Sequence, residues 1–131
     1  MAYRVYLVDD DRFLLDLYAV KFKNAGHDVT VFGGGEELLA VLRKEGAVTP
    51  DAILLDVIMP GMTGFETLET MRKENLAKDA KVIFLSNQGQ DSDVEAAKKF
   101  SADGYIIKAS AIPSEVFAET IRIIEARTAA H

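Results

Sequence analysis

Asp9, Asp10 and Asp11 stand in a row, Asp56 closes a run of isoleucine and leucine, Ser86 follows a second apolar run and Lys108 a third. Brought together, these side chains would make a carboxylate cluster with one hydroxyl and one ammonium. Two carboxylates about 4 Å apart repel by roughly 4 kcal/mol at an effective dielectric near 20, so such a cluster calls for a cation. Its donors are all hard oxygens with no His or Cys beside them, which selects Mg²⁺, Mn²⁺ or Ca²⁺ over zinc or copper. Few protein ligands and room for a phosphoryl oxygen suit Mg²⁺ best. Other ways of handling phosphate fail on residues. The chain has no G-x-x-x-x-G-K-[ST], and Gly33-Gly34-Gly35 lacks the third glycine of G-x-G-x-x-G, since position 38 is Leu38. A flavin phosphate in the loop after the first strand would meet three aspartates.

These residues must be positioned by the elements around them. Arg4 to Val8 is a short apolar and β-branched run that reads as a buried strand, as do Val29 to Phe32, Asp51 to Leu55, Lys81 to Leu85 and Gly104 to Ile107. Between them the apolar spacing is helical. Phe13, Leu14, Leu17 and Val20 mark the inward face of a first helix that Gly26 stops; Leu38, Leu39 and Leu42 mark that of a second over Glu36 to Glu45, with Gly46 after it. Pro60-Gly61 turns the chain into a third helix over about Gly64 to Asn75, and a fourth runs near Asp91 to Phe100. Pro113 suits the first turn of a fifth, with Phe117, Ile121 and Ile124 inward and an unstructured tail after about Arg127. Asp11 reads as a helix N-cap, Met59 and Met62 as packing residues, and His27 and His131 as a solvated turn and a frayed terminus.

Strands and helices that alternate in this way form an α/β fold, a doubly wound five-stranded parallel sheet with helices on both faces. Right-handed crossovers favour the flavodoxin-like strand order 2-1-3-4-5, which makes strands one and three neighbours at the switch point where ligands bind beyond the strands' carboxyl ends. The expected set of ligating and reacting groups therefore shares one rim. At 131 residues the chain has room for one domain, with a core of about residues 3 to 126. Its net charge of -6 argues against direct nucleic acid binding, and no apolar run reaches the roughly 18 residues a membrane span requires. The chain has no cysteine and no leader-like first segment, which leads to the expectation of a cytoplasmic protein.

Val8-Asp9-Asp10-Asp11, the run from Asp51 to Gly64 with Asp56 and Pro60, the strand ending in Ser86, and Gly104-Tyr105-Ile106-Ile107-Lys108 together resemble the receiver domain of two-component response regulators. The resemblance implies that Asp56 is the phosphoacceptor. It implies that Asp10 binds Mg²⁺ directly, Asp9 through water, and Asp56 and the backbone carbonyl of Ile58 complete the protein's ligands. Lys108 stands where the family has its phosphate-contacting lysine, Ser86 where it has the switch hydroxyl and Tyr105 where it has the switch aromatic. The chemistry agrees: a carboxylate can attack phosphorus, and with a loose transition state the protein's task is positioning and charge neutralisation. The implied function is a phosphorylation-controlled switch, not a turnover enzyme, served by a histidine kinase or histidine phosphotransfer protein. Its output would run through protein contact on the face of the fourth helix, fifth strand and fifth helix.

Three residues depart from the family pattern. Ala109 replaces the usual proline after the lysine, Asn87 replaces a small residue after Ser86, and Ile58 and Gln88 occupy positions that tune phosphoryl lifetime. Apolar Ile58 does not position a hydrolytic water, so slow self-dephosphorylation is expected. Ala109 and Asn87 motivate an alternative, a receiver-like docking module that works without phosphorylation. A metal-dependent phosphohydrolase with Asp56 as nucleophile lacks a general acid.

Overall fold

The apolar runs become five strands in the computed structural model, which describes residues 2–86, 95, 98, 99, 101–108 and 111–129. In chain order the elements are β1 (Arg4–Val8), α1 (Arg12–Asn24), β2 (Asp28–Phe32), α2 (Gly35–Leu42), β3 (Ala52–Asp56), α3 (Gly64–Lys73), β4 (Lys81–Ser86), β5 (Gly104–Ile107) and α4 (Pro113–Ala129). All strand pairs are parallel and the order across the sheet is β2-β1-β3-β4-β5. The expected doubly wound architecture is thus the one observed. Residues 91–100, where a further helix is expected, lie largely outside the described residues, as do Asn87, Gln88, Ala109 and His131. Among the described residues no helix is long and apolar enough to cross a membrane.

Alternation along the strands sorts the core into two layers. Val8, Leu55 and Phe84 pack with α2 and α3 through Leu38, Leu39, Leu42, Leu68 and Met71, while Leu7, Leu54, Leu85 and Ile106 pack with α1 and α4. Both faces of the central strands are covered, which is why β3 shows five buried residues in succession, while the edge strand β2 buries only Phe32.

The helices differ from expectation in phase and length. The inward face of α1 is Leu15, Tyr18, Ala19 and Phe22; of the expected face only Leu14 is half-buried against that layer, and the rest is turned out, with Phe13 75% exposed, Leu17 41% and Val20 53%. Two apolar stripes run along this helix, and the one that reaches Phe22 meets both the sheet and α4, where Phe22 and Phe117 lie edge to face at 5.1 Å. In α4 the deepest residues are Val116, Thr120, Ile123 and Ile124, leaving Phe117 and Ile121 half-buried at the seam, and the helix continues to Ala129 past the expected end near Arg127. α2 ends at Leu42, because Arg43 caps it and sends its guanidinium to both carboxylate oxygens of Glu74, the cap of α3, at 2.8 and 2.7 Å. His27 is not a solvated turn. Its Nδ1 accepts the Tyr3 N–H at 3.0 Å and its ring stacks on Tyr3, which ties the entry of β1 to the α1–β2 turn.

Candidate functional site

Each group at the carboxyl rim is set by the end of an element. The Asp9 N–H donates to the Phe32 carbonyl at 3.1 Å, extending the β1–β2 ladder by one residue and fixing the backbone that presents the Asp9 carboxylate. Asp11 is the N-cap of α1, accepting the Leu14 N–H at 3.1 Å, so the helix starts immediately beyond the acidic pair. Asp56 is the last residue of β3. The chain after it is drawn tight: the Gly64 N–H donates to the Val57 carbonyl at 2.8 Å, and Thr63 and Glu66 form a reciprocal capping box at the start of α3.

Gly64 is required there for space. A β-carbon added to it would lie 2.3 Å from the backbone oxygen of Asp56, closer than any side chain tolerates. Gly64→Ala should therefore destabilise the chain by about 1–3 kcal/mol, the cost of overpacking against backbone, as read by urea unfolding. An unchanged midpoint would show that α3 can back away from β3.

Strand alternation brings the reacting groups to one side. Asp9, Asp56 and Lys108 each follow by two residues a side chain of the α1/α4 layer, Leu7, Leu54 and Ile106. The Lys108 ammonium lies 3.0 Å from Asp9 Oδ2 and 3.1 Å from Asp56 Oδ1, and all three side chains are nearly solvent-free. Asp9 Oδ1 accepts the Asp11 N–H at 2.9 Å. Asp10, exposed, offers an oxygen to the same place: ligand atoms of Asp9, Asp10 and Asp56 all lie within 4.8 Å of one another. Ser86, buried, closes β4 two residues after Phe84, and by the same alternation shares the α2/α3 layer with half-buried Tyr105, which pairs with Phe84. Ile58 stands on the loop after Asp56 with its side chain 69% exposed. The structure thus brings Asp9, Asp10, Asp56 and Lys108 into one cluster and leaves Ser86 beside it and Tyr105 behind.

Burial pushes the Asp56 carboxyl up to about 7, with the charge of Asp9 adding to the rise and Lys108 opposing it. Burial also pulls Lys108 down, but its hydrogen bond to Asp9 and the charges of Asp56 and Asp9 outweigh this and hold it above its ordinary value. Asp9 and Asp56 share one ammonium and Asp10 stands beside them, so among the described residues the cluster carries more negative than positive charge. An all-oxygen donor set with this deficit fits a hard divalent cation.

Sequence reasoning passed over one residue at this site. Tyr18 of α1 is 1% exposed, and its phenol is pushed up by burial, with the charge of Lys108 opposing and those of Asp9, Asp11 and Asp56 adding. The available signal was the stripe Leu15, Tyr18, Phe22, which runs one turn further than the stripe read as inward.

Comparison with known proteins gives the same reading from several directions. The family model described as the response regulator receiver domain matches residues 5–118. The DNA-binding response regulator MtrA of Mycolicibacterium paratuberculosis is 30% identical over 108 residues, 82% of this chain and 45% of that protein. The chain thus spans less than half the length of the curated relatives it matches. The chemotaxis response regulator CheY4 of Vibrio cholerae superposes with a TM-score of 0.83 at 26% identity, over 94% of this chain and 99% of that one. The response regulator TrrA of Thermotoga maritima, solved in complex with Mg²⁺ and a beryllofluoride, gives 0.75 at 27% identity over 95% and 99%.

Proposed function

The chain belongs to the response regulator receiver domain family, whose members are signalling switches, and on that premise we propose that Asp56 accepts a phosphoryl group from a histidine kinase or histidine phosphotransfer protein. The observation that carries this reading is the Lys108 ammonium shared between Asp9 and Asp56 beside the Asp10 carboxylate. In the proposed step an Asp56 carboxylate oxygen attacks the phosphorus of a phosphoimidazole. The O–P bond forms as the N–P bond breaks, and the imidazole nitrogen keeps the electron pair. Lys108, already within reach of Asp56, accompanies the charge that arrives on the phosphoryl oxygens. Asp9, Asp10, Asp56 and the backbone carbonyl of Ile58 would hold Mg²⁺, or Mn²⁺ in its place, whose chemistry when bound is to neutralise phosphoryl charge.

A phosphoryl group at Asp56 carries nearly two negative charges and strong acceptor oxygens, which draw in Lys108 and the Ser86 hydroxyl. Tyr105, one strand away, follows into the space Ser86 leaves. The population shift is read on the surface of β5, α4 and the segment over 91–100 by a partner that prefers one state. The net charge of -6 supports an output through protein contact. On this reading the chain acts as a single receiver domain with a core of about residues 3 to 126. Incubation with acetyl phosphate and Mg²⁺ should add one phosphoryl group by intact mass. A chain that gains none, either from acetyl phosphate or from a histidine kinase, returns the choice to the docking module.

The donor also needs a place to sit. Exposed Phe13, Leu17 and Val20 run down α1 from the rim, and exposed Ile58 follows Asp56, so apolar surface borders the pocket where a donor protein must approach. A central apolar contact of this kind is worth about 2 kcal/mol in a protein interface. Phe13→Asp should slow transfer from a cognate phosphotransfer protein by about tenfold or more, while labelling by acetyl phosphate stays within about twofold. Equal losses with both donors would place the defect in the pocket instead.

A further inference from the structure

β2 lies at an edge of the sheet, and its five residues, Asp28 to Phe32, carry no proline, bulge or lysine of the kind that blunts an edge. In the parallel β1–β2 ladder the Asp28 N–H donates to the Tyr3 carbonyl at 2.9 Å and the Phe32 carbonyl accepts the Asp9 N–H at 3.1 Å. Backbone groups alternate in direction along a strand, so Asp28, Thr30 and Phe32 turn theirs to β1 while Val29 and Val31 turn theirs outward. The free edge stops there. Beyond Val31 the Gly33 N–H is taken by Glu37 Oε2 at 3.0 Å, and before Val29 the His27 N–H is taken by the Phe22 carbonyl at 3.0 Å.

An antiparallel copy of the same strand meets these groups. About a two-fold axis through Thr30 and normal to the sheet, Val29 stands opposite Val31 of the second copy, and Val31 opposite its Val29. Each valine N–H then faces a valine carbonyl, Thr30 faces Thr30, and β-branched pairs of this kind are favourable across strands. A slip by two residues sets a valine against His27 or Gly33, whose N–H groups are already taken.

α1 points to the same occupant. It packs on β2 and on α4, and α4 packs on β4, so the sheet lies beneath α1 and α4 lies on its side toward β4. The exposed stripe of Phe13, Leu17 and Val20 faces neither and looks out on the side of β2. A two-fold axis normal to the sheet keeps both copies of α1 on one face of the joined sheet and runs them antiparallel, so the stripe meets its own copy. A lone extended peptide along β2 would leave that stripe in water.

We propose that a second copy of this chain docks on β2, joining two five-stranded sheets edge to edge about a two-fold axis through Thr30, with Leu17 and Val20 of the two α1 helices packed across it. The association does not rest on the phosphoacceptor reading of Asp56. Where that reading holds, a donor protein that approaches over α1 competes with the second copy for the stripe.

The test is sedimentation velocity on the full chain, without phosphodonor or divalent cation, for the wild type, Thr30→Lys and Thr30→Glu. The Thr30 side chain is exposed, so both variants should keep the wild-type urea midpoint. The wild type should pass from monomer toward dimer as its concentration rises to about 1 mM. Each variant alone sets like charges directly opposite one another and should raise the dissociation constant at least about tenfold, whereas an equimolar mixture pairs lysine with glutamate and should dimerise again. A wild type that stays monomeric up to about 1 mM overturns the proposal. Variants that dimerise as the wild type does would place the contact on another face, and a mixture that stays monomeric would rule out the axis at Thr30; either result overturns it as well.

Discussion

An Asp56→Asn chain incubated with acetyl phosphate and Mg²⁺ should gain no phosphoryl group while the wild type gains one. The amide keeps the shape of the carboxyl and its place at the end of β3, but it is not a nucleophile toward phosphorus. Removing a covalent nucleophile costs at least about a thousandfold, so label in the variant should fall below detection by intact mass. Lys108→Ala should label more slowly by about a hundredfold, the scale on which losing one charge-stabilising donor acts. The order follows from the proposed roles, in which bulk cations stand in for part of the Lys108 charge and nothing stands in for the Asp56 oxygen that attacks. Label that persists in Asp56→Asn would move the acceptor to Asp9 or Asp10, the other carboxylates of the cluster.

The same substitution should raise the stability of the metal-free chain at about pH 8. The Asp56 carboxyl titrates near 7 in the folded chain, against 3.8 for an ordinary one, so the folded state binds the proton more tightly. Between these two values the folded state keeps a proton that the unfolded state has lost. Stability therefore falls as pH rises from about 4 to about 7 and then levels. At about 1.4 kcal/mol for each tenfold change in proton affinity, the full penalty is about 4 kcal/mol at most. Relaxation of the surroundings takes up part of it, leaving about 2 kcal/mol. Asp56→Asn carries no such penalty. Urea unfolding should show the variant ahead of the wild type by about 2 kcal/mol at pH 8 without divalent cation, with the gap closing toward pH 4. Saturating Mg²⁺ should then bring the wild type back, by about 3 kcal/mol at a hundredfold excess over its dissociation constant. A gap independent of pH would mean that the cost arises from packing and not from the buried charge.

Much of this protein was legible in its residues. The five apolar runs, the glycines and proline that end them, and the acids at their ends determined a parallel sheet with one reactive rim, because alternating apolar runs of strand and helix length admit few topologies. Asp9, Asp10, Asp56 and Lys108 were legible as well, since a position next to the end of a buried strand leaves a charged side chain only the rim to occupy. The tertiary structure alone decided the phase of α1. Phe13, Leu17 and Val20 and Leu15, Tyr18 and Phe22 are both apolar stripes at helical spacing, and local spacing carries no information about which one meets a sheet and a second helix. That choice turned one stripe into exposed surface and buried Tyr18 in the layer between the sheet and α4. Likewise the split between Lys108 on the α1 layer and Tyr105 on the other is a property of strand register, which pairs Phe84 with Tyr105 and Ser86 with Ile107. The Lys108 bridge between Asp9 and Asp56 joins residues that are far apart along the chain, and only the assembly of the sheet brings opposite charges within about 3 Å, where their attraction offsets part of the cost of burying them.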